Sequence, residues 1–293
     1  MCRVLLFLFP MLTTAKIEVN IIGRNEGREP IEIYLTGHSV YPIGTAETVA
    51  FQLSEANLKD GVKVYLGQKP DDVFLRNPTP IGKLFTDYGW NPVMRVVNAT
   101  SAGIVGIEAL NKTLLRQVFV NKSPEPATFN VGISQTVTNV MLSKWRTQIV
   151  VRDKDPIKYT FDLKSLSGDW KTIIAFKEDF GVDSRKSETT QIGPSSAMQI
   201  VLQPGQSAKT FLYATLSTMN LEIEYTTRLK GRVIANYETL FNGHHFWSCD
   251  IAAIMSSVGL PYQFTSVEKL QVEFYWNVRV SVRDGMTNKK LME

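Results

Sequence analysis

The sequence is poor in the residues on which catalysis usually depends. Three histidines and two cysteines occur among 293 residues, and Cys2 lies so near the N terminus that a processed chain keeps only Cys249. We find no Gly-x-Ser-x-Gly elbow, no phosphate-binding glycine loop, no His-Glu-x-x-His and no Cys-x-x-Cys motif. The sequence therefore predicts a protein that is not an enzyme, with no catalytic residue, no cofactor and no metal site.

An excess of charge of one sign is also missing. The chain has 32 lysines and arginines against 28 aspartates and glutamates, which gives a formal net charge of +4. Because this charge is small and spread along the chain, it provides no basic surface for a phosphate backbone. We therefore predict no nucleic-acid partner. The hydrophobic fraction of 44% is sufficient for a folded core and argues against a disordered or fibrous protein.

A short apolar run stands at the N terminus. Residues 1–15 contain Arg3, an apolar stretch over 4–12 and the ending Thr-Thr-Ala, which are the three parts of a secretory signal peptide. The stretch is too short to span a bilayer as a helix, and the alternative is a buried first strand. Three N-glycosylation sequons follow. They start at Asn98, Asn111 and Asn121. Together these features predict a secreted, extracellular glycoprotein.

Long alternating strands dominate the second half of the chain. Residues 221–233 and 270–282 place apolar side chains at every second position, which is the period of a half-buried strand. The turn Pro204-Gly205 precedes the first of these strands. For residues 106–117, where helix and strand patterns compete, we predict a strand. Residues 251–258 fit one short helix.

The composition suggests three parts. Residues 16–117 consist of short apolar segments broken by turn clusters, one of them at Asp60-Gly61, and they predict short strands. The sequence pattern changes from short segments to long strands at the Ser-Pro-Glu-Pro segment that begins at Ser123, and we place a domain boundary there. We therefore predict a signal peptide over 1–15, an N-terminal head over 16–123 and an elongated β module over 124–293.

The order of features from residue 118 to 240 resembles a known family. A Thr- and Ser-rich strand over 129–138 follows the link Asn-Lys-Ser-Pro at 121–124. The turn Gln-Pro-Gly-Gln at 203–206 then leads to an amphipathic strand that ends Leu-Lys-Gly-Arg-Val at 229–233. This order resembles the aerolysin superfamily of the epsilon-toxin and mosquitocidal-toxin type, and within it spherulin-like proteins and insect follicular epithelium yolk proteins. The resemblance implies a mainly β fold, elongated and aerolysin-like, with long twisted antiparallel strands and a smaller N-terminal β-rich head.

An amphipathic hairpin is the segment with the most direct functional meaning. Trp145–Arg152 and Ile157–Lys164 alternate apolar and polar residues on either side of a turn at Asp153–Pro156. In a transmembrane barrel, such a hairpin turns its apolar face to lipid and its polar face to a water-filled lumen. The predicted membrane-inserting face consists of Ile149, Val151, Ile157, Tyr159, Phe161 and Leu163. The predicted lumen face consists of Lys144, Arg146, Lys158 and Lys164.

Two alternatives to this hairpin stay open. Each arm is shorter than the about 9–11 residues that a spanning strand needs, so the hairpin could instead pack as a surface element on a neighbouring sheet. The region from Lys171 to Gly193 is a second candidate for the inserting segment. If the first hairpin inserts, replacing Tyr159 and Phe161 by Asp is expected to leave the soluble protein folded and to abolish membrane leakage.

The resemblance implies two functions. The first is a secreted protein that forms homo-oligomers, binds a membrane lipid, glycan or protein receptor and builds a β-barrel pore in the membrane. The second keeps the fold without the pore, as a secreted yolk, eggshell or coat protein with a structural or storage role in an egg or coat compartment. A carbohydrate- or lipid-binding β protein outside this superfamily is a third interpretation. Fold alone does not decide among them.

Overall fold

The computed structural model describes residues 17–23, 31–146, 156–162, 173–194 and 196–292, with only the backbone of Glu178. Most of these residues lie in strands, so the predicted mainly β fold is confirmed. The strands are β1 (Glu18–Gly23), β2 (Ile31–Thr36), β3 (Ser39–Pro42), β4 (Asp72–Phe74), β5 (Met94–Val120), β6 (Ala127–Asn130), β7 (Gln135–Trp145), β8 (Pro156–Asp162), β9 (Ile173–Asp179), β10 (Ser184–Ile192), β11 (Gln199–Leu202), β12 (Ser207–Lys230), β13 (Arg232–Phe241), β14 (His244–Asp250), β15 (Gln263–Asp284) and β16 (Lys290–Met292). The helices are α1 (Thr45–Ala50), α2 (Glu55–Leu66), α3 (Leu84–Asp87) and α4 (Ile251–Ser257).

The long strands predicted from alternation are confirmed. In β12, every second side chain from Leu221 to Leu229 is buried, and in β15 the same holds from Leu270 to Phe274. Residues 106–117 belong to the continuous strand β5, as predicted, and α4 covers the predicted short helix. An alternating strand buries one face and leaves the other partly solvated, so the period alone was enough to locate these elements.

The chain divides into two compact units, each built from separated segments. The first unit contains Gly37–Asn98 and Thr226–Phe264, and the second contains Glu18–Thr36, Ala99–Tyr225 and Thr265–Glu293. The boundary predicted after residue 123 therefore lies inside the second unit. A linear division misses this arrangement because β5, β12 and β15 each contribute residues to both units.

The second unit contains the sheets that matter for the candidate site. Its long strands pair in the order β10-β7-β15-β12-β5, with β16 beside β15. A four-stranded sheet has the order β2-β1-β8-β9, in which β1 and β8 run parallel and the other pairs are antiparallel. Strands β11 and β6 form a separate two-stranded antiparallel sheet.

The first unit combines strands with four helices in the described residues, of which the sequence predicted α4 but not α1, α2 or α3. The sheet β14-β13-β4 and helices α2 and α4 enclose a core that includes Phe51, Tyr237 and Ile254. Cys249 belongs to this core, and burial raises the pKa of its thiol to about 11. Cys249 therefore acts as a small packed side chain, as predicted.

Helix α2 shows why a head of short strands was the wrong expectation. Its ends carry standard signals, because the Ser54 side chain accepts a hydrogen bond from the Asn57 backbone N–H and Gly67 ends the helix in the left-handed region. Gly61 was predicted to lie in a turn, but it lies inside helix α2. A Cβ there would lie 2.5 Å from Cγ2 of Ile254 in α4. Glycine is present because the two helices approach closely, and local sequence cannot reveal that contact.

Candidate functional site

Two antiparallel strand pairs are nested along the chain of the second unit. The outer pair is β7 with β10, in register from Gln135–Ile192 to Ser143–Ser184. The inner pair is β8 with β9, in register from Pro156–Asp179 to Asp162–Ile173. The inner pair belongs to the four-stranded sheet and the outer pair to the sheet of long strands. A hairpin that departs from one sheet, pairs within another and returns is therefore the central feature of the unit.

The structure corrects the strand pairing of the predicted hairpin. Within the described part of the chain, β8 pairs with β9 and β1, whereas the strand that contains Trp145 pairs with β10 and β15. The second arm thus comes from the start of the alternative region Lys171–Gly193. Three amphipathic segments follow one another here, and alternation alone does not show which two of them pair. Ile149, Val151, Leu163 and Lys164 lie outside the described residues.

One face of the hairpin is fully buried. Ile157, Tyr159 and Phe161 of β8 have no exposed surface, and Ile174 and Phe176 of β9 are buried beside them. The rings of Phe161 and Phe176 meet edge to face, with centroids 6.4 Å apart. Half of the predicted membrane-inserting face is therefore a buried face in this conformation. The expectation that Asp could replace Tyr159 and Phe161 without unfolding is wrong, because two buried carboxylates would lack solvation.

The opposite face of the hairpin carries its charged side chains, together with the exposed apolar residues Ile173 and Ala175 of β9. Lys158 and Lys177 lie opposite each other in the β8–β9 register, and Lys158 Nζ lies 3.4 Å from Glu18 Oε1 on β1. The other described residues of the predicted lumen face, Lys144 and Arg146, are not in the hairpin. Arg146 follows β7, and its Nη1 donates to Glu222 Oε1 at 3.1 Å.

A buried carboxylate connects the hairpin to the long strands. Tyr159 Oη donates to Glu268 Oε2 at 2.6 Å, and Tyr225 Oη donates to the same oxygen at 2.9 Å. Ser143 Oγ donates to Oε1 at 2.5 Å. Glu268, Tyr159 and Tyr225 have no exposed surface. The two phenol oxygens are 3.1 Å apart, so four side chains from β7, β8, β12 and β15 form one buried cluster.

Aromatic side chains pack beside this cluster. Phe180, in the connection from β9 to β10, packs against both Trp145 and Tyr225, with ring centroids 4.8 and 5.4 Å away. The rings of Trp145 and Tyr225 are 5.1 Å apart. The base of the hairpin is thus fixed by apolar packing as well as by the carboxylate.

The sequence analysis missed Phe180, Tyr225 and Glu268 as site residues. A signal was present for Glu268, because the alternation of β15 extended backwards from Leu270 places Glu268 and Ser266 on the buried face. A carboxylate at an apolar position of a half-buried strand indicates a specific hydrogen-bonding environment.

Burial raises the pKa of Tyr159 and Tyr225 well above the usual range, and the Glu268 carboxylate acts in the same direction. An acid with a raised folded-state pKa contributes its full stability below its unfolded pKa of about 10 and loses it as pH rises towards the folded value. We therefore expect the free energy of unfolding to fall above pH 10, by up to about 1.4 kcal/mol per pH unit for each phenol. Urea unfolding at several pH values measures this fall, and Tyr159→Phe should make it shallower. An equal slope in the variant would contradict a protonated, buried Tyr159.

The three sequon asparagines differ in exposure. Asn121 is 1% exposed, and its Nδ2, the atom that carries a glycan, donates to Glu125 O and Leu202 O at 2.8 Å each. A glycan at Asn121 would replace these buried hydrogen bonds, so we expect this sequon to stay unmodified in the folded protein. Asn111 is exposed and Asn98 is half-buried, and both stay predicted acceptors.

Among the described residues, no three or more His, Cys, Asp or Glu side chains are grouped closely enough to hold a metal ion. No helix in the described ranges combines the length and apolar character that crossing a bilayer requires.

Comparison with known sequences finds relatives along nearly the whole chain. No family profile matches. U-megalopygitoxin(8)-Mc8 of Megalopyge crispata is 28% identical over 284 residues, which cover 97% of this chain and 98% of the relative. U-megalopygitoxin(8)-Mo12 of Megalopyge opercularis is 29% identical over 266 residues, 91% of each chain. Both relatives are named as toxins.

Comparison with solved structures identifies the fold. Parasporin-2, a Bacillus thuringiensis toxin that recognises cancer cells, superposes with a TM-score of 0.51 at 15% sequence identity, covering 84% of this chain and 98% of that toxin. The chain shares the fold of this toxin, which confirms the predicted aerolysin-like β fold. The predicted likeness to spherulin and follicular epithelium yolk proteins is not confirmed.

Proposed function

We propose that this protein is a secreted, toxin-like pore former whose β8–β9 hairpin leaves its sheet and enters a membrane. The observation that supports this most strongly is the nested arrangement of the strands. The inner hairpin has one buried apolar face and one polar face, and it connects two strands, β7 and β10, that are already hydrogen-bonded neighbours. Release of β8 and β9 would lengthen this outer pair into a single hairpin.

The released hairpin is long enough to span a bilayer. Asp162 pairs with Ile173, and the midpoint of the segment between them falls between Ser167 and Gly168 in the sequence. Each arm from the paired ends Pro156 and Asp179 to that midpoint contains twelve residues, and a spanning strand needs about 9–11. The buried apolar face would then contact lipid, and the lysine-bearing face would line the lumen.

A pore of this kind requires several copies. One hairpin contributes two strands, and a closed membrane barrel has at least about eight. Strands enter a bilayer only when every backbone hydrogen bond is satisfied by a neighbour, so we propose a homo-oligomer that forms before or during insertion. A lipid, glycan or protein receptor on the target membrane is part of this proposal. The toxin names of the relatives favour a pore former over a yolk or coat protein.

Dye release from liposomes tests the proposal. The purified mature protein, with and without limited proteolysis, is expected to release an entrapped dye and to form oligomers that resist detergent on electrophoresis. Vesicles of several lipid compositions, and vesicles made from target-cell membranes, separate the absence of a receptor from the absence of activity. A folded protein that releases no dye from any of these membranes would contradict the pore and favour the coat or storage role.

A further inference from the structure

We propose that Glu268 is the anchor that holds the inserting hairpin on the long strands, and that the hydrogen bond from Tyr159 is a contact with those strands that must break for release, in addition to the pairing of β8 with β1. This inference rests on the proposed function, since it concerns how the hairpin is retained before insertion. Glu268 lies on β15, outside the hairpin that is proposed to contact the membrane. Its proposed role is to position the hairpin before insertion.

The hairpin and the long strands contribute unequally to the hydrogen-bonded cluster around Glu268. Ser143, Tyr225 and Glu268 all belong to the sheet of long strands, on β7, β12 and β15. Tyr159 is the member of the cluster that the hairpin supplies. Departure of the hairpin therefore removes the Tyr159 donor from the carboxylate and leaves the described donors Ser143 and Tyr225 in place.

Hydrogen bonds to a buried carboxyl group are strengthened by the low local dielectric, and no water replaces a lost donor there. Ile157 and Phe161 contribute apolar burial, which stabilises the contact but does not favour one orientation of the strand. Tyr159 thus contributes a directional contact with the long strands, beside the backbone pairing of β8 with β1. Towards the long strands, the described part of the hairpin thus combines apolar burial with the hydroxyl group of Tyr159, while β1 holds β8 through backbone pairing and the Lys158–Glu18 ion pair.

The same hydrogen bond favours the register that the backbone pairing of β8 with β1 and β9 establishes. A slip of two residues keeps the apolar face of a strand turned towards the core, so burial alone does not prevent it. In β8 such a slip would place Ile157 or Phe161 against Glu268 in place of Tyr159. Neither side chain donates a hydrogen bond. The slipped hairpin would therefore leave the buried carboxylate with a missing donor, which disfavours that register.

Two matched variants separate the anchor from general stability. Tyr159→Phe removes the donor that crosses from the hairpin and keeps the ring, while Ser143→Ala removes a donor to the same carboxylate from within the long strands. Hydrogen exchange of the peptides that cover 156–162 and 173–179 reports hairpin opening in solution, without any membrane. We expect exchange in these peptides to accelerate about tenfold or more in Tyr159→Phe and much less in Ser143→Ala. Glu268→Gln keeps the shape of the side chain and one acceptor oxygen. We expect its hairpin peptides to exchange at a rate between those of the other two variants.

The outcomes distinguish the anchor from the proposed pore. Unchanged hairpin exchange in Tyr159→Phe, or equal acceleration in Ser143→Ala, would overturn the anchor whatever the liposomes show. Faster exchange in Tyr159→Phe together with an earlier onset of dye release supports both proposals. Faster exchange without dye release by any variant or by the wild type supports the anchor and contradicts the pore.

Discussion

Gly231→Ala is expected to lower the free energy of unfolding by about 2–5 kcal/mol. Gly231 connects β12 to β13 with φ at +125°, a conformation that side chains rarely adopt. A Cβ at this position would lie 2.1 Å from the backbone oxygen of Pro92 and 2.9 Å from Cα of Val93. These are backbone atoms, so no side-chain rotation can relieve the overlap. Urea unfolding followed by tryptophan fluorescence measures the loss.

Gly243→Ala is the matched control for this effect. Gly243 also has a positive φ, +84°, and lies in the same compact unit, but no atom lies within 4 Å of an added Cβ. Only the conformational cost applies there, about 1–2 kcal/mol. If both variants lose the same free energy, the close approach of Gly231 to Pro92 is contradicted.

The sequence was sufficient to predict the elements whose burial is local and periodic. Strands β12 and β15 bury every second residue over long stretches, and their alternation is visible without knowledge of their neighbours. The tight turns of the chain were visible for a similar reason, since Gly205 has a positive φ and Pro204 precedes it. These features depend on backbone geometry and solvation within a few residues.

Features that depend on distant contacts were not predictable in this way. Gly61 is compatible with a turn in the sequence and with a crowded helix crossing in the fold, and only the position of Ile254 decides between them. The two compact units were hidden for the same reason, because their segments are interleaved along the chain. Pairing is a long-range property, and periodicity carries no information about it.

The candidate site was predicted in part. The apolar face of β8, with Ile157, Tyr159 and Phe161, was identified correctly as a face, but its partner strand was not. Glu268 lies 109 residues from Tyr159 in the sequence, so their contact follows only from the stacking of two sheets. The role of this face in a membrane stays a prediction.

An introduced disulfide between β1 and β8 is expected to block pore formation completely. Asn20 on β1 pairs with Thr160 on β8 in parallel register, and both are half-buried. Neighbouring strands lie about 4.8 Å apart, within the about 4.4–6.8 Å range of Cα separations that a disulfide bridges. Because β1 is not part of the proposed inserting segment, oxidised Asn20→Cys/Thr160→Cys protein could not release its hairpin.

A second disulfide provides the control. Thr160 also pairs with Ala175 on β9, inside the hairpin. Oxidised Thr160→Cys/Ala175→Cys protein carries the same kind of bond at a shared position, yet both cysteines would move together. It should release dye as the wild type does. The native Cys249 is buried, and its raised thiol pKa of about 11 keeps it from competing for disulfide formation.

Dye release by the Asn20→Cys/Thr160→Cys protein, before and after addition of a reductant, is the most direct test of hairpin insertion. The account predicts no release from the oxidised protein, recovery to the wild-type rate on reduction, and unimpaired release from the oxidised Thr160→Cys/Ala175→Cys control. Release at the wild-type rate from protein in which the β1–β8 disulfide is verified by mass spectrometry would contradict the account, since a hairpin still bonded to β1 would then not be the segment that enters the membrane.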